Sequence, residues 1–466
     1  MRLLAAVVSA LLAAQAGAPA YDVVIRSARV LDPASGLDGV RNIGITGKKI
    51  AVVSADALRG RTEIDATGLV AAPGFIDLHS HGQTPENYRY KAMDGVTAAL
   101  ELEVGVSPVS DWYKARDGKS LIHFGASAGH IPARMAVMQD TGTLLPRDAA
   151  MNRVATAEEQ KAIEAIVRRD LDEGGVGMGM GITYTPTATR DEILGLFTLA
   201  ARFKRPVFVH MRAGDVVASL QEVITDAAVS GAPLHVVHIN SAATAKTPIA
   251  LQMIEGARAR GLDVTTEAYP YTASMTEIAS AAYSGWEQQK PEYFARLLWP
   301  ATGERLTRES FERYHRQGGF VIQFGNTDDM VRAAIAHPMV MIASDGIIEN
   351  GKGHPRGAGT FARVLGKYVR EDRALGLMDA VRKSSLMPAQ RLEQIAPAMR
   401  QKGRLSAGAD ADISVFDPAG VIDKATFENA AQYSEGFRYV LVEGTFVVRD
   451  GKLQDGVAPG QAIRAR

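Results

Sequence analysis

The sequence predicts an α/β fold: a (β/α)₈ barrel of the TIM type with a small β-sandwich domain built from both chain ends. Three observations lead there. From about residue 155 to about residue 268, helix and strand alternate in four consecutive units, which implies a parallel sheet. Four histidines and one aspartate close short apolar runs, as residues on the C-terminal rim of a barrel do. The two chain ends show short alternating strands and turn residues with little helix. Four units in succession favour a closed barrel over an open doubly wound sheet, and no glycine-rich dinucleotide fingerprint argues otherwise.

The chain opens on MRLLAAVVSALLAAQAGAPAYD. An arginine, an aliphatic stretch and small residues at Ala18 and Ala20 read as a signal peptide over residues 1–20. Cleavage after Ala20 is expected, since a cut after Ala18 would leave Pro19 first. The stretch is too short and too Ala-rich for a membrane span, so an exported protein, periplasmic or secreted, is expected. With no cysteine, the mature chain can carry neither a lipidated cysteine nor a disulfide. Its 52 Lys+Arg balance 52 Asp+Glu, so no net field draws it to nucleic acid or an acidic membrane. The expected partner is a small-molecule substrate. Residues 21–72, from YDVVIRSARVLD, and 403–466, with DADISVFDP and FRYVLVEGTFVVRDGKL, form the two parts of the β-domain. Residues 73–402 form the barrel.

Within the barrel, GFIDLHSHG places His79 and His81 on one face of an extended segment, with Asp77 two residues before. Such a pair can grip a cation or simply bond backbone and water. In GVTAALELEVG, Glu101 and Glu103 alternate with aliphatic residues and share a face. Turned toward the helices they would be unpaired buried charges, so they are expected to face the barrel mouth. Glu103, nearer the strand end, is the first choice as a carboxylate bridging two cations; Glu101 is the second, with an internal salt bridge as its alternative.

The helical units follow. Thr156 and Glu159 have capping-box spacing, Ile163, Ile166, Val167 and Leu171 share a face, and Gly174 and Gly175 close the helix. VGMGMGI is the next strand. Thr189 and Glu192 cap a second helix that leads into PVFVH, ending in His210. A third helix, from Val216 to Gly231, leads into LHVVH, ending in His238. A fourth, from Thr247 to Gly261, leads into LDVTTEAYPY. Asp345 follows the run VMIAS. With His79, His81, His210 and His238, it puts five candidate ligands on one rim. Imidazole and carboxylate without thiolate suit Zn²⁺ or another divalent first-row metal.

These residues resemble the amidohydrolase superfamily and, within it, the D-aminoacylases. The likeness runs over nearly the whole mature chain through PGFIDLHSH, GHIPARMAVM, GVGMGMGITYTP, AYPYTAS, MIASDG, HPRGAGTFARVLGKYVRE, PAQRL and GRLSAGADADISVFDP. The resemblance implies that His79, His81, His210 and His238 bind one or two metal ions and that Asp345 is the catalytic acid/base. It further implies that Arg356 and Tyr271 hold the substrate's carboxylate and carbonyl region, and His130 of AGHIPAR could line the pocket. Two departures stand out. The family's bridging cysteine falls at Val104, so Glu103 replaces it only through a one-residue register shift. A lysine common in the family is Asn240 here, which weakens the case for an ordinary acyl-amino-acid substrate.

The implied reaction is hydrolysis of an amide bond, in an N-acyl-D-amino acid or a dipeptide-like substrate. A divalent ion lowers the pKa of bound water from about 15.7 to roughly 7, and Asp345 relays the proton to the leaving amine. An alternative is a hydrolase of a cyclic amide or lactone. Relatives of that kind usually carry a carboxylated lysine bridge, and GVGMGMGI has no lysine. A catalytically silent binding protein is a third reading.

Overall fold

In the computed structural model, which describes residues 20–466, eight parallel strands run in sequence order around a barrel. They are Phe75–Asp77, Val96–Val106, His123–Gly129, Met178–Gly181, Val207–His210, Leu234–Val236, Val264–Ala268 and Val340–Ile342. Ser80 bridges Gly346 in parallel, joining the eighth strand's end to the first's. A buried polar seam holds that closure. Asp77 accepts from the Ser344 backbone N–H at 2.9 Å and from Ser344 Oγ at 2.6 Å, and Lys91 Nζ lies 2.8 Å from it. Asp77 is therefore committed to joining the first and eighth strands. The signal-peptide reading falls almost wholly on residues 1–19, outside the described residues. Among the described residues no helix is long and apolar enough to cross a membrane.

The helices between the strands follow their sequence signals. Thr156 and Glu159 make a reciprocal capping box at the start of Ala157–Asp172, satisfying backbone N–H groups that helix ends leave free. Thr189 caps Arg190–Arg202 by accepting the Glu192 N–H. Val216–Ser230 ends on Gly231 at φ 79°, a left-handed cap that glycine adopts without strain.

Both chain ends join one continuous nine-stranded sheet, from Tyr21–Asp32 to Lys452–Leu453, that packs around its own core of Ile25, Ile43, Ile413 and Leu441. The long first strand pairs with Leu37–Thr46 along one edge and with two strands in turn along the other, Gly60–Asp65 up to Arg26 and Val70–Pro73 from Arg29, on either side of a bulge between Ile25 and Ala28. Below the barrel, Lys402 Nζ contacts Asp412 at 2.6 Å and Asp410 at 2.9 Å. His123 Nε2 contacts Asp412 at 3.1 Å, which fastens the third barrel strand to the β-domain.

Two features depart from the sequence reading. The final residues leave the β-domain and return to the barrel. Ile463 is fully buried with Leu100, Leu102 and Phe208, and its backbone N–H donates to Phe124 O at 2.7 Å. The physical reason is a barrel floor that needs an apolar plug. A four-stranded sheet, with Ala273–Glu277, Leu297–Trp299, Glu304–Arg305 and Phe320–Phe324, is inserted between the seventh and eighth strands. It has its own core, with Ile278, Phe294, Trp299, Phe311 and Val321, and leans over the barrel mouth.

Candidate metal centre and active site

The second barrel strand carries the pivotal residue and is irregular there. Glu101 pairs with Ala126 and Val106 with Ala128, so five steps on one strand face two on the other. Bulges of this kind re-aim side chains next to active sites. Gly105 takes up the bend at φ 71°, where a Cβ would come within 2.6 Å of Gly129 Cα. Ser127 Oγ satisfies the displaced Leu102 carbonyl at 2.8 Å. The bulge turns Glu103 into the barrel mouth, among the histidines.

Glu103 stands among all four histidines. Its Oε1 lies 2.7 Å from His210 Nδ1 and 3.6 Å from His238 Nε2. Its Oε2 lies 2.8 Å from His79 Nε2 and 3.1 Å from His81 Nε2. Asp345 Oδ1 faces the second pair, 3.4 Å from His79 and 3.2 Å from His81. Two ligand sets result, His79/His81/Glu103/Asp345 and Glu103/His210/His238, with the ligand atoms of each within 4.8 Å of one another. Asp345 and His238 take left-handed backbones, at φ 52° and 33°, the sort of local strain that collects at functional sites.

The surroundings fit a divalent cation. Glu267 Oε1 lies 2.8 Å from His79 Nδ1, and Glu101 Oε2 lies 2.8 Å from His81 Nδ1. A carboxylate on Nδ1 fixes the tautomer and leaves Nε2 free as a ligand. Glu101 is thus an orienting group, outside both ligand sets, because its bond to His81 keeps it one layer back. Burial by itself lowers the His79 pKa, but Asp345, Glu103 and Glu267 outweigh it and raise the group to about 10. His81 is raised against burial by Glu101, Asp345 and Glu103. His210 goes the other way, lowered by burial and by His238.

A prediction about metal uptake follows. His79 must give up its proton to bind a cation. Below pH about 10 that proton is present in the metal-free protein, so zinc binding between pH 6 and 9 should release protons and tighten as pH rises. Calorimetric titrations of zinc in buffers of different ionisation enthalpy read the proton count directly; zero release would contradict the protonated imidazole.

The inner cavity is lined by Glu103, Asp345, Arg356, Tyr184 and, from the inserted sheet, Met275 and Thr276. It adjoins an outer cavity of ≈ 660 Å³ that shares Leu144, Met275, Phe320 and Ile347 with it. Arg356, buried at the start of Arg356–Arg363, puts Nη1 2.9 Å from Asp345 Oδ2 and lies over the Tyr269 ring at 4.5 Å. Burial pushes the Asp345 pKa up, yet Arg356 and His79 bring it well below the usual carboxylate range.

Tyr271 and His130, expected to contact substrate, do not line this cavity. Arg363 and Asp423 pair at 3.1 Å, and Tyr271 packs against that ion pair, with Arg363 over its ring and its hydroxyl 3.5 Å from both Asp423 Oδ2 and Pro355 O. His130 Nε2 is 2.8 Å from Glu192, which also holds the buried Arg134 at 2.6 Å, and serves a helix-packing network. Asn240 is fully buried and donates to Tyr269 O at 3.0 Å.

Two residues that matter here escaped the sequence reading. Glu267, an acid inside the strand LDVTTEAY, could have been flagged by the argument used for Glu101 and Glu103. Tyr184, after the fourth strand, has its ring edge-on to His210 at 5.0 Å and accepts a hydrogen bond from Thr276 Oγ1 at 3.2 Å.

Known proteins resemble this chain over nearly its whole length. An N-acyl-D-glutamate deacylase and a D-aminoacylase, both from Alcaligenes xylosoxydans xylosoxydans, are each 28% identical to the chain. The first alignment covers 91% of this chain and 93% of the relative, the second 92% and 95%. The crystal structure of an N-acyl-D-glutamate deacylase from Bordetella bronchiseptica, complexed with zinc and a phosphonate mimic of the tetrahedral intermediate, superimposes with a TM-score of 0.82. It is 27% identical, over 96% of this chain and 100% of that one. The profile of the Amidohydrolase family matches residues 62–448: the chain belongs to the amidohydrolase family and groups within it with the D-aminoacylases.

Proposed function

We propose that the protein is a metal-dependent hydrolase that removes the acyl group from N-acyl-D-amino acids or closely related dipeptide-like amides. The observation that carries this reading is Glu103, shared between two ligand sets at the mouth of a barrel, with Asp345 and Arg356 beside it. His79, His81, Glu103 and Asp345 would hold one cation and Glu103, His210 and His238 another. A divalent ion bound there supplies Lewis acidity and makes water a nucleophile at neutral pH.

The chain's own groups then divide the work. Asp345 has Oδ2 tied to Arg356 and Oδ1 toward the histidines, so Oδ1 is the atom that takes the water's proton and returns it to the leaving amine. Arg356 offers a planar fork suited to a substrate carboxylate. Tyr184 receives a hydrogen bond from Thr276, which leaves the phenol proton free for the substrate's carbonyl oxygen. Burial and the Glu103 charge hold the Tyr184 pKa well above its usual value, so the phenol stays a donor at neutral pH. Hydrolysis of a cyclic amide is the weaker reading, since Glu103 fills the bridging place and the strand Met178–Gly181 carries no lysine. Export of the mature chain through residues 1–20 belongs to the same proposal, and intact residues 1–20 on protein from a cytosolic fraction would end it.

The deciding assay is amine release from a panel of N-acyl-D- and N-acyl-L-amino acids and dipeptides, with zinc and with chelator. Chelator-sensitive release from D-substrates supports the reading; metal-loaded protein inert on the whole panel refutes it. For the donor role, Tyr184→Phe should lower kcat by ~10²–10³-fold, the usual effect of removing one oxyanion donor. If instead only KM rises, Tyr184 binds substrate without stabilising the transition state.

A further inference from the structure

At the opposite end of the barrel from the metal centre is a second cavity, of ≈ 550 Å³. Its wall is built from residues that immediately precede the fifth to eighth strands, Lys204, Pro206, Pro233, Asp263 and Met339, and from the helix Leu386–Leu392. Its charge is one-sided. Lys204, Arg258, Arg382 and Arg391 line it against one carboxylate, Asp263. Lys204 and Arg258 make no ion pair among the described residues.

Arg391 is the core of this site. Its side chain is only 4% exposed, and Nη1 is paired with Asp263 Oδ1 at 2.6 Å. Nε and Nη2 have no hydrogen-bond partner. Leaving two N–H groups of a buried guanidinium unmatched is costly, because they have given up water for nothing. Asp263, 60% exposed, pairs with Arg391, and Asp379 pairs with Arg382 at 3.4 Å. Arg258 is anchored by Nη1 to Val264 O at 2.7 Å, and Arg382 by Nη2 to Pro338 O at 3.1 Å, so both guanidinium groups are held in place on the cavity side of the barrel floor.

We propose that this cavity is a binding site for a small dianion of the phosphate or dicarboxylate class, held by Arg391 with Arg258 and Lys204. A guanidinium fork matches two oxygens of either anion, and each such contact is charge-assisted. Arg391 is paired with Asp263 and Arg382 with Asp379 at 3.4 Å, which leaves the charges of Lys204 and Arg258 unmatched, and two negative charges suit those two cations. The site does not depend on the reaction assigned to the metal centre, from which the whole barrel separates it.

The test is calorimetric titration of the zinc-loaded protein with inorganic phosphate and, in a separate arm, with succinate, at fixed ionic strength. Phosphate also stabilises proteins by exclusion from their surface and can meet the metal centre, so the variant decides. Lys204→Gln/Arg258→Gln changes two exposed residues and leaves the buried Arg391 and its Asp263 partner intact. It should weaken binding roughly tenfold or more while kcat and zinc content stay as in the parent. Arg391→Met, if it folds with a normal circular dichroism spectrum, should abolish the effect. A response to phosphate alone assigns the phosphate class and to succinate alone the dicarboxylate class. Unchanged affinity in the double variant, or no heat in either arm, overturns the proposal.

Discussion

Asp345→Asn should lower kcat by ~10²–10⁴-fold, the range that positioned acid/base catalysis supplies, while the three-ligand set of Glu103, His210 and His238 keeps its metal. The geometry explains why the amide cannot substitute. Oδ2 is held by Arg356 at 2.9 Å and Oδ1 faces His79 and His81. In the asparagine, the oxygen stays with the guanidinium and an NH₂ group occupies the Oδ1 position, where a proton acceptor is required. Some stability will go as well. Arg356 is 1% exposed, and breaking a buried ion pair outright costs about 3–5 kcal/mol; the retained amide oxygen softens that loss. Reading kcat per folded, metal-loaded molecule separates the two roles. A carboxylate that merely caps the turn predicts a lower melting temperature with nearly parental kcat, and that result would remove Asp345 from the chemistry.

The barrel and its candidate ligands were legible because each rests on a short-range pattern. Thr156 with Glu159 marks a helix start by side-chain reach alone, and the observed helix begins there. His210 and His238 were placed by one rule, that a polar residue ending an apolar run lies on the strand's C-terminal rim, and both are found on it. What was illegible depended on three-dimensional partners. Tyr271 sits in a motif that points to substrate, yet it packs against Arg363 and Asp423, the latter 152 positions further along the chain. His130 is similarly claimed by Glu192. The inserted sheet gave little signal because its strands are two to five residues long, too short to show a period. The plugging of the barrel floor by Ile463 needed knowledge of which core lacked an apolar residue.

The same distinction explains Glu101 and Glu103. Alternation put both on one face, and nothing in the pattern ranked them beyond proximity to the strand end. The bulge between Glu101 and Val106 ranks them. It carries Glu103 to the middle of four imidazoles and leaves Glu101 behind His81. The two residues are chemically identical, so exchanging each for glutamine isolates position from residue type.

Glu103→Gln should therefore be the most damaging single substitution for metal binding. An amide presents one neutral oxygen where two anionic oxygens now face His79 and His81 on one side and His210 and His238 on the other. It removes a ligand from both sets at once, along with the only charge in the Glu103/His210/His238 set. Glu101→Gln keeps a hydrogen-bond acceptor for His81 Nδ1 and should cost about 10–100-fold in metal affinity or activity, as loss of an orienting partner does. Zinc content after dialysis against a graded metal buffer, measured on the two variants side by side, gives the comparison. Glu103→Gln should lose zinc from both sets before Glu101→Gln loses it from either. If the order is reversed, the bridge belongs to Glu101 and the bulge serves some other end. If the two lose metal equally, neither bridges, and the two ligand sets are held by the histidines and Asp345 without a shared carboxylate.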